Sequence, residues 1–419
     1  MIVYKAKLAK HSDCTGCLAC ADACNHAAIG VIKEGELLYP SIDNNTCIGC
    51  RQCEKACPIV TPIRLNQVEN VRVSGGWAVD DNLRVNGASG GAFAGMAVSF
   101  IRQHERNVAV YGASLKDNRV RHERITTLSE LPSLMNSKYI QSNANGIYKT
   151  IREDLKEGRY VLFSGTPCQV AGLYGYLGKK RDDEHLLTIE LICAGVLSPE
   201  ALDIHLESFN SPRILSFRNK VEGQNYSRSQ CTTIEIDGKP FRFTKRGEDV
   251  FYRCFSSSIL ERHSCFNCKF ANLTRVADIT IGDFWGGNKD FREYEKGVNV
   301  ILANNLKARE FVKKAPDIEV YSSTIGKAIS GNPCLYSNVN YIQYHPLVMW
   351  PNFFRRVLPR IVWLHIVKND NPWRYVWGFF RLLGKIREKK DRNRIVARYN
   401  DLLNEWWGGQ NIKITPDVN

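Results

Sequence analysis

The sequence predicts an α+β chain in three parts: a small cysteine-rich module over residues 1–65, a larger α/β domain over 70–340, and a basic aromatic helical tail over 345–419. Three observations predict it. Eight of the 15 cysteines fall between Cys14 and Cys57, in two short runs of the same spacing. Apolar strand-like runs punctuated by Gly and Pro then alternate with helical stretches, as in α/β domains. After residue 345 the chain is crowded with Trp, Phe and Arg.

The 419 residues are 44% hydrophobic and 24% charged, which is enough apolar content for a sizeable core. The opening MIVYKAKLAKHSDC has no long apolar stretch, so no secretory signal is expected. No apolar run reaches the ~18 residues of a membrane-spanning helix. Size and the lack of an export signal argue against a disulfide scaffold. Closely spaced cysteines in a reducing compartment read instead as metal ligands. The expected localisation is cytoplasmic. The net charge of +14 is concentrated in the tail, where thirteen Arg or Lys between Phe353 and Asn400 face three acids. A charge so localised gives no reason to expect nucleic-acid binding.

The first part carries CTGCLACADAC (14–24) and CIGCRQCEKAC (47–57). Each is a bacterial-ferredoxin run, in which a compact C-x2-C-x2-C loop wraps three corners of a cubane and the fourth cysteine serves the other cluster. The spacing therefore assigns Cys14, Cys17, Cys20 and Cys57 to one 4Fe-4S cluster, and Cys47, Cys50, Cys53 and Cys24 to a second. The fourth cysteine of each run is expected at the start of a helix. Zinc sites use four ligands in CxxC pairs, not two runs of four. Pro58 follows Cys57 as in the usual run, whereas Asn25 follows Cys24. These 60 residues resemble a two-cluster ferredoxin domain, which relays single electrons. IVTPIRLNQ (59–67), with Pro62 and polar residues, is the expected linker.

In the second part the expected strands include NVAVYGASL (107–115), RYVLFSG (159–165), LLTIELICAG (186–195), ADITIGDF (277–284) and VNVILANN (298–305). CQVAGLYGYLG (168–178) has a helical pattern. Cys168 opens that helix after a strand, Cys193 ends a strand, and Cys265 and Cys268 form a CxxC. Strand-end loops are where sites gather in such domains. On spacing alone these four fit a third cluster or buried free thiols. Cys231, Cys254 and Cys334 show no partner pattern and read as free thiols. Gly90 and Gly91 precede an apolar helical stretch, and fit a turn as readily as a phosphate cradle.

Six strings in this part, GASGGAFAGM (87–96), SKYIQS (137–142), LFSGTPCQVAGL (162–173), ELICAGVLSP (190–199), CFNCKF (265–270) and ADITIGDFWG (277–286), resemble the coenzyme F-420 hydrogenase/dehydrogenase beta-subunit family. The similarity spans residues 70–340. It implies a flavin and iron-sulfur domain, with FAD beside a third 4Fe-4S cluster on Cys168, Cys193, Cys265 and Cys268. It also implies flavin contacts from Ser89, Gly90 and Gly91. In the second motif, Lys138 and Ser142 are candidates for the flavin phosphate or ribityl oxygens, or for a solvated loop. Ala94 stands where relatives often carry threonine. Asp283 and Trp285 fit a cavity wall, or a helix cap and a core aromatic. No catalytic residue is assigned.

PWRYVWGFFRLLGKIR (372–387) in the tail suits a helix lying at an anionic membrane surface, or one packed on the protein itself. The membrane-surface reading would make the chain peripheral at the inner face. The combined expectation is an iron–sulfur flavoprotein oxidoreductase. It would take electrons from a low-potential donor such as ferredoxin, or from another electron-transfer subunit, and pass them through the clusters to FAD and a substrate. Relatives with a fused ferredoxin domain suggest bacterial surface-polysaccharide biosynthesis. The alternatives are a reductase or dehydrogenase acting on coenzyme F-420, or an electron-transfer subunit of a larger complex.

Overall fold

The computed structural model describes residues 6–336, apart from 35–36, 208, 221–230, 245–248, 250, 253–254 and 256–260. The expected tail and Cys254 lie outside the described residues.

The cysteine-rich region folds as α1 (Ala19–Asp22), β1 (Ile29–Glu34), β2 (Leu37–Ile42) and α2 (Gln52–Ala56). β1 and β2 form an antiparallel pair. The placement of the fourth cysteines differs from expectation. Cys20 and Cys53 lie within the short helices, Cys24 follows α1, and Cys57 is the C-cap of α2. A three-residue gap spans about one turn, so the third cysteine sits in the helix's first turn and the fourth at or just past its end.

The larger region is built on an eight-stranded mixed sheet. Its strands are β3 (Arg72–Ala78), β4 (Val108–Lys116), β5 (Arg119–Ile125), β6 (Tyr160–Gly165), β7 (Leu186–Leu191), β11 (Ile279–Asp283), β12 (Asn299–Ala303) and β13 (Ile318–Ser322). Their order is β13-β3-β12-β11-β7-β6-β4-β5. β11, β7, β6 and β4 run parallel, and the remaining pairs are antiparallel. A separate sheet of β8 (Ile214–Asn219), β9 (Cys231–Ile236) and β10 (Lys239–Arg242) has order β10-β9-β8. The five expected strands are present, because continuous apolar runs mark strands buried on both faces. β3, the edge strands β5 and β13 and the three-stranded sheet lie outside the expected runs; RVSGGWA and KPFR carry too little apolar signal.

Helices cover both faces of the large sheet. On the other side from the cysteine-rich region, α3 (Asp81–Asn86) leads to α4 (Ala92–His104). On the near side lie α5 (Ile147–Lys156) and α6 (Pro167–Leu177), packing Tyr148, Ile151, Val170 and Leu173 inward. That core runs without a break into Cys17, Ala19 and Ala56 of the cysteine-rich region. α7 (Pro199–Glu207) shares a smaller core with the three-stranded sheet, through Leu202, Leu206, Ile214 and Ile234. α8 (Leu306–Lys314) returns to α4, where its Ala308 and Val312 share a core with Met96 and Phe100. The expected linker is irregular but held, since the Asn66 amide donates to the carbonyls of Arg275, Val276 and Ala277 at 3.0, 3.1 and 2.8 Å.

α6 packs tightly against the cysteine-rich region. Thr166 and Gln169 form a capping box and Pro167 sits in the first turn, which fixes where the helix starts. One to two turns on, a Cβ at Gly172 would lie 2.9 Å from Cys17 Sγ, and one at Gly175 would fall on the Ala56 carbonyl oxygen. Asp22 locks the contact from the other side, accepting the Gly146 and Tyr148 amides at 2.6 and 2.9 Å and so capping α5. In a free helix Gly175→Ala would gain about 1 kcal/mol. Here the sign is expected to reverse to a loss of about 1–3 kcal/mol in denaturant unfolding, because the obstructing atom is backbone.

Candidate metal centres

The two cysteine runs adopt one backbone conformation. Gly16 and Leu18 have φ of 67° and 64°; Gly49 and Arg51 have 72° and 62°. Left-handed residues alternating with cysteines turn the loop tightly and direct successive thiols to one side. Leu18 and Arg51 adopt this region against their intrinsic preference.

The thiols associate across the runs. Burial pushes Cys20 well up, and Cys17, Cys14, Cys57 and Cys53 push it further. Cys57 is raised by burial and feels Cys14. Burial raises Cys53 to about 11, with Glu54, Cys24 and Cys50 adding. Cys24, Cys47, Cys50 and Cys53 line a small pocket together with His26, Ile48 and Arg51. The Ala28 amide donates to Cys24 Sγ at 3.3 Å. The structure thus brings together Cys14, Cys17, Cys20 and Cys57, and separately Cys24, Cys47, Cys50 and Cys53. The first set is mostly buried, whereas Cys50 of the second is exposed.

The scattered cysteines also converge. Cys168 and Cys193 lie at the carboxyl ends of parallel strands, where ligands gather in open α/β sheets. Cys168 is in the first turn of α6 after β6, Cys193 is two residues past β7, and Cys265 and Cys268 flank the end of a single-turn helix, His263–Asn267. Burial raises Cys193 well up, with Cys168 and then Cys268 and Cys334 adding. Cys265 is raised by burial, then by Glu261, Cys193, Cys268 and Cys168. Thr166 Oγ1 lies 3.1 Å from Cys168 Sγ, and the Gly195 amide donates to Cys193 Sγ at 3.4 Å. Cys334, read from sequence as a lone thiol, is a fifth member and is buried, its thiol pushed up to about 12 by burial. Nothing in its spacing marked it.

The third set is held by a buried ion pair. Arg275 Nε lies 2.5 Å from Glu190 Oε1, with both side chains out of solvent. Glu190 also accepts from the Val276 and Ala277 amides and from Thr280. The pair ties β7, which leads to Cys193, to the loop after Cys268. Arg275 Nη2 is buried with no hydrogen-bond partner among the described residues, and its charge pulls Cys268 and Cys334 down.

An iron–sulfur cluster fits these residues. Each set offers four thiols, two sets carry amide-to-sulfur hydrogen bonds, and buried arginine charge stands beside the third to offset the thiolates. Among the described residues no three His, Cys, Asp or Glu close on one point as ligands of a single ion would.

The residues expected at a flavin do not form a cradle. Ser89, at φ 54°, donates to the Val298 carbonyl at 2.6 Å. The space beside Gly90 is filled by the Gly76 carbonyl and Asn299, and that beside Gly91 by Leu83 and Arg84. Asn299 Oδ1 takes the Ala92 amide at 3.0 Å, so the start of α4 is already capped. The glycines serve close strand–helix packing. Lys138 donates to the Met135 carbonyl at 2.6 Å, and Ser142 Oγ lies 2.8 Å from His122 Nδ1. Asp283 is neither helix cap nor open wall, because Arg218 grips its carboxylate at 2.8 and 3.1 Å.

His122 carries a pH signature. Burial lowers it from the usual 6.5 to about 4. As pH falls through 6.5 the unfolded chain takes a proton that the folded chain refuses, so stability is lost between about pH 6.5 and 4. The loss is about 3 kcal/mol. In His122→Asn this component is absent, so the stability gap to the parent is expected to narrow on acidification in pH-resolved unfolding.

Comparison with known proteins follows the same division. Residues 158–324 match the family model for the C terminus of the coenzyme F420 hydrogenase/dehydrogenase beta subunit. Residues 13–60 match the 4Fe-4S dicluster domain. The chain is similar to an F(420)H(2) dehydrogenase subunit of Methanosarcina mazei, 23% identical over 290 residues that cover 66% of this chain and 77% of the relative. It is also similar to the alpha 1 subunit of the acetyl-CoA decarbonylase/synthase complex of Methanosarcina barkeri, 43% identical over 61 residues, 13% of this chain and 7% of the relative. Among solved structures, the F420-reducing [NiFe] hydrogenase complex from Methanosarcina barkeri aligns with a TM-score of 0.43 and 14% identity, covering 62% of this chain and 85% of that one. Among the described residues no helix is long and apolar enough to cross a membrane.

Proposed function

We propose, for a chain that belongs to the coenzyme F420 hydrogenase/dehydrogenase beta-subunit family through residues 158–324 and carries a 4Fe-4S dicluster domain at residues 13–60, that it exchanges electrons between coenzyme F-420 and a partner subunit. At the coarser level it is an iron–sulfur electron-transfer oxidoreductase. The observation that carries the proposal is the contiguity of three cysteine sets. Cys53 lies close enough to act on Cys20, and Cys168 close enough to act on Cys17. Cys50 brings its set to the solvent, Cys17, Cys20 and Cys57 of the first set are buried, and the four cysteines of the third set are half-buried. When bound, 4Fe-4S clusters relay single electrons. The protein's part is to hold their ligands in sequence, shield the set of Cys14, Cys17, Cys20 and Cys57 from water, and leave the set with Cys50 accessible to a partner.

The relatives favour this reading over surface-polysaccharide biosynthesis, which they do not support. Exchange with a two-electron carrier requires a group that splits electron pairs, and the family resemblance implies FAD. The five residues expected to hold it are engaged by protein, and extraction of flavin from the purified chain tests whether it carries FAD. Oxidation of one reduced coenzyme F-420 releases two electrons and two protons. Anaerobic chain mixed with that coenzyme is expected to lose its visible iron–sulfur absorbance within turnover time. Reduction by dithionite but not by the coenzyme, in a chain that stays bound to a larger complex, would favour a purely electron-transferring subunit.

A further inference from the structure

Arg262 stands at the seam of the two regions and is fully buried. Its backbone belongs to the larger region: its amide donates to the Val196 carbonyl at 3.3 Å, and its carbonyl accepts the Cys265 amide at 3.0 Å. Its side chain crosses into the cysteine-rich region. Nε donates to the Cys14 carbonyl at 2.7 Å, Nη1 to the Leu38 carbonyl at 2.9 Å, and Nη2 to Cys14 Sγ at 3.7 Å. The guanidinium lies over Tyr39, 3.9 Å from the ring centroid. A Cβ at Gly16 would fall 2.6 Å from Nη1, so the glycine makes room for it. The same charge pulls Cys168 down.

We propose that Arg262 is a positioning residue that sets the reduction potential of the cluster on Cys14, Cys17, Cys20 and Cys57, and so the driving force of its electron exchange with the set containing Cys168. The proposal rests on the iron–sulfur reading above. A cation that never leaves a dry site, and that hydrogen-bonds a ligand sulfur, favours the reduced and more negative state. A planar fork pinned by two carbonyls and a ring keeps that charge at one distance, which a flexible ammonium does less well. Among the described residues Arg262 makes no hydrogen bond to Cys24, Cys47, Cys50 or Cys53.

The test is an anaerobic redox titration of the full chain by electron paramagnetic resonance, with iron counted per chain. Arg262→Gln keeps N–H donors and removes the charge, and Arg262→Lys keeps the charge. With iron content unchanged, Arg262→Gln is expected to lower the midpoint of one N-terminal cluster by at least a tenfold change in its reduced-to-oxidised ratio, about 59 mV for one electron. The other N-terminal cluster is expected to hold its midpoint, and Arg262→Lys to stay near the parent. Unchanged midpoints at full iron, or an equal shift of both N-terminal clusters, would overturn the proposal while leaving the iron–sulfur reading intact. Loss of iron in both variants would show a purely structural role and overturn it as well. A parent chain without iron would instead remove the reading on which it rests.

Discussion

Cys57→Ser is expected to empty the inner N-terminal site, although Cys57 belongs to the second run. About four of about twelve irons should be lost, while the site lined by Cys24, Cys47, Cys50 and Cys53 keeps its own. The reason is the crossing of the fourth cysteines. Cys57 acts on Cys20 and is acted on by Cys14, while Cys24 lines the cavity of the second set. Cys24→Ser should show the converse pattern. Iron analysis with resonance spectra of the reduced chain reads both, and loss from the set of the substituted residue's own run would show that the runs do not interlock. Because Cys17 also packs on α6, iron loss at the inner site should loosen the contact between the regions and appear as a less cooperative unfolding transition.

Glu190→Ala is expected to be the most destabilising single change outside the cysteines. It leaves Arg275 buried with its Nε deprived of the carboxylate, and breaking a buried pair by removing one partner costs about 3–5 kcal/mol. It also takes away the acceptor to which the Val276 and Ala277 amides donate. The site containing Cys193 and Cys268 is strung between the two elements the pair joins, so its iron should be lost selectively while both N-terminal sites remain. Denaturant unfolding and iron content check this together. A stability loss under about 1 kcal/mol would show that the pair contributes little, as exposed pairs do.

Much of the site was legible because iron–sulfur ligation is written in spacing. Two runs of four cysteines specify both the loop and the crossing, and the structure adds that each fourth cysteine stands at or just past the end of its helix. The strands legible in sequence were the central ones, such as VLFSG and NVILA, whose apolar runs need no partner to be recognised. The strand RVSGGWA was not, because a strand near the sheet's edge is defined by its neighbours more than by its own residues. Convergence of Cys168, Cys193, Cys265 and Cys268 depends on the order of parallel strands, which spacing cannot report. Arg262 and Cys334 were missed for the same reason, since their partners lie far away in sequence. The glycines of SGGAF show the opposite failure: a local pattern that suits a phosphate is used here to bring α4 against β3 and β12.

We propose that three all-cysteine sites stand in a row within one chain. The most direct measurement is anaerobic purification of the chain with iron, acid-labile sulfide and flavin determined per chain. Three sites predict about twelve irons and about twelve sulfides. About eight of each would contradict the third site at Cys168, Cys193, Cys265 and Cys268.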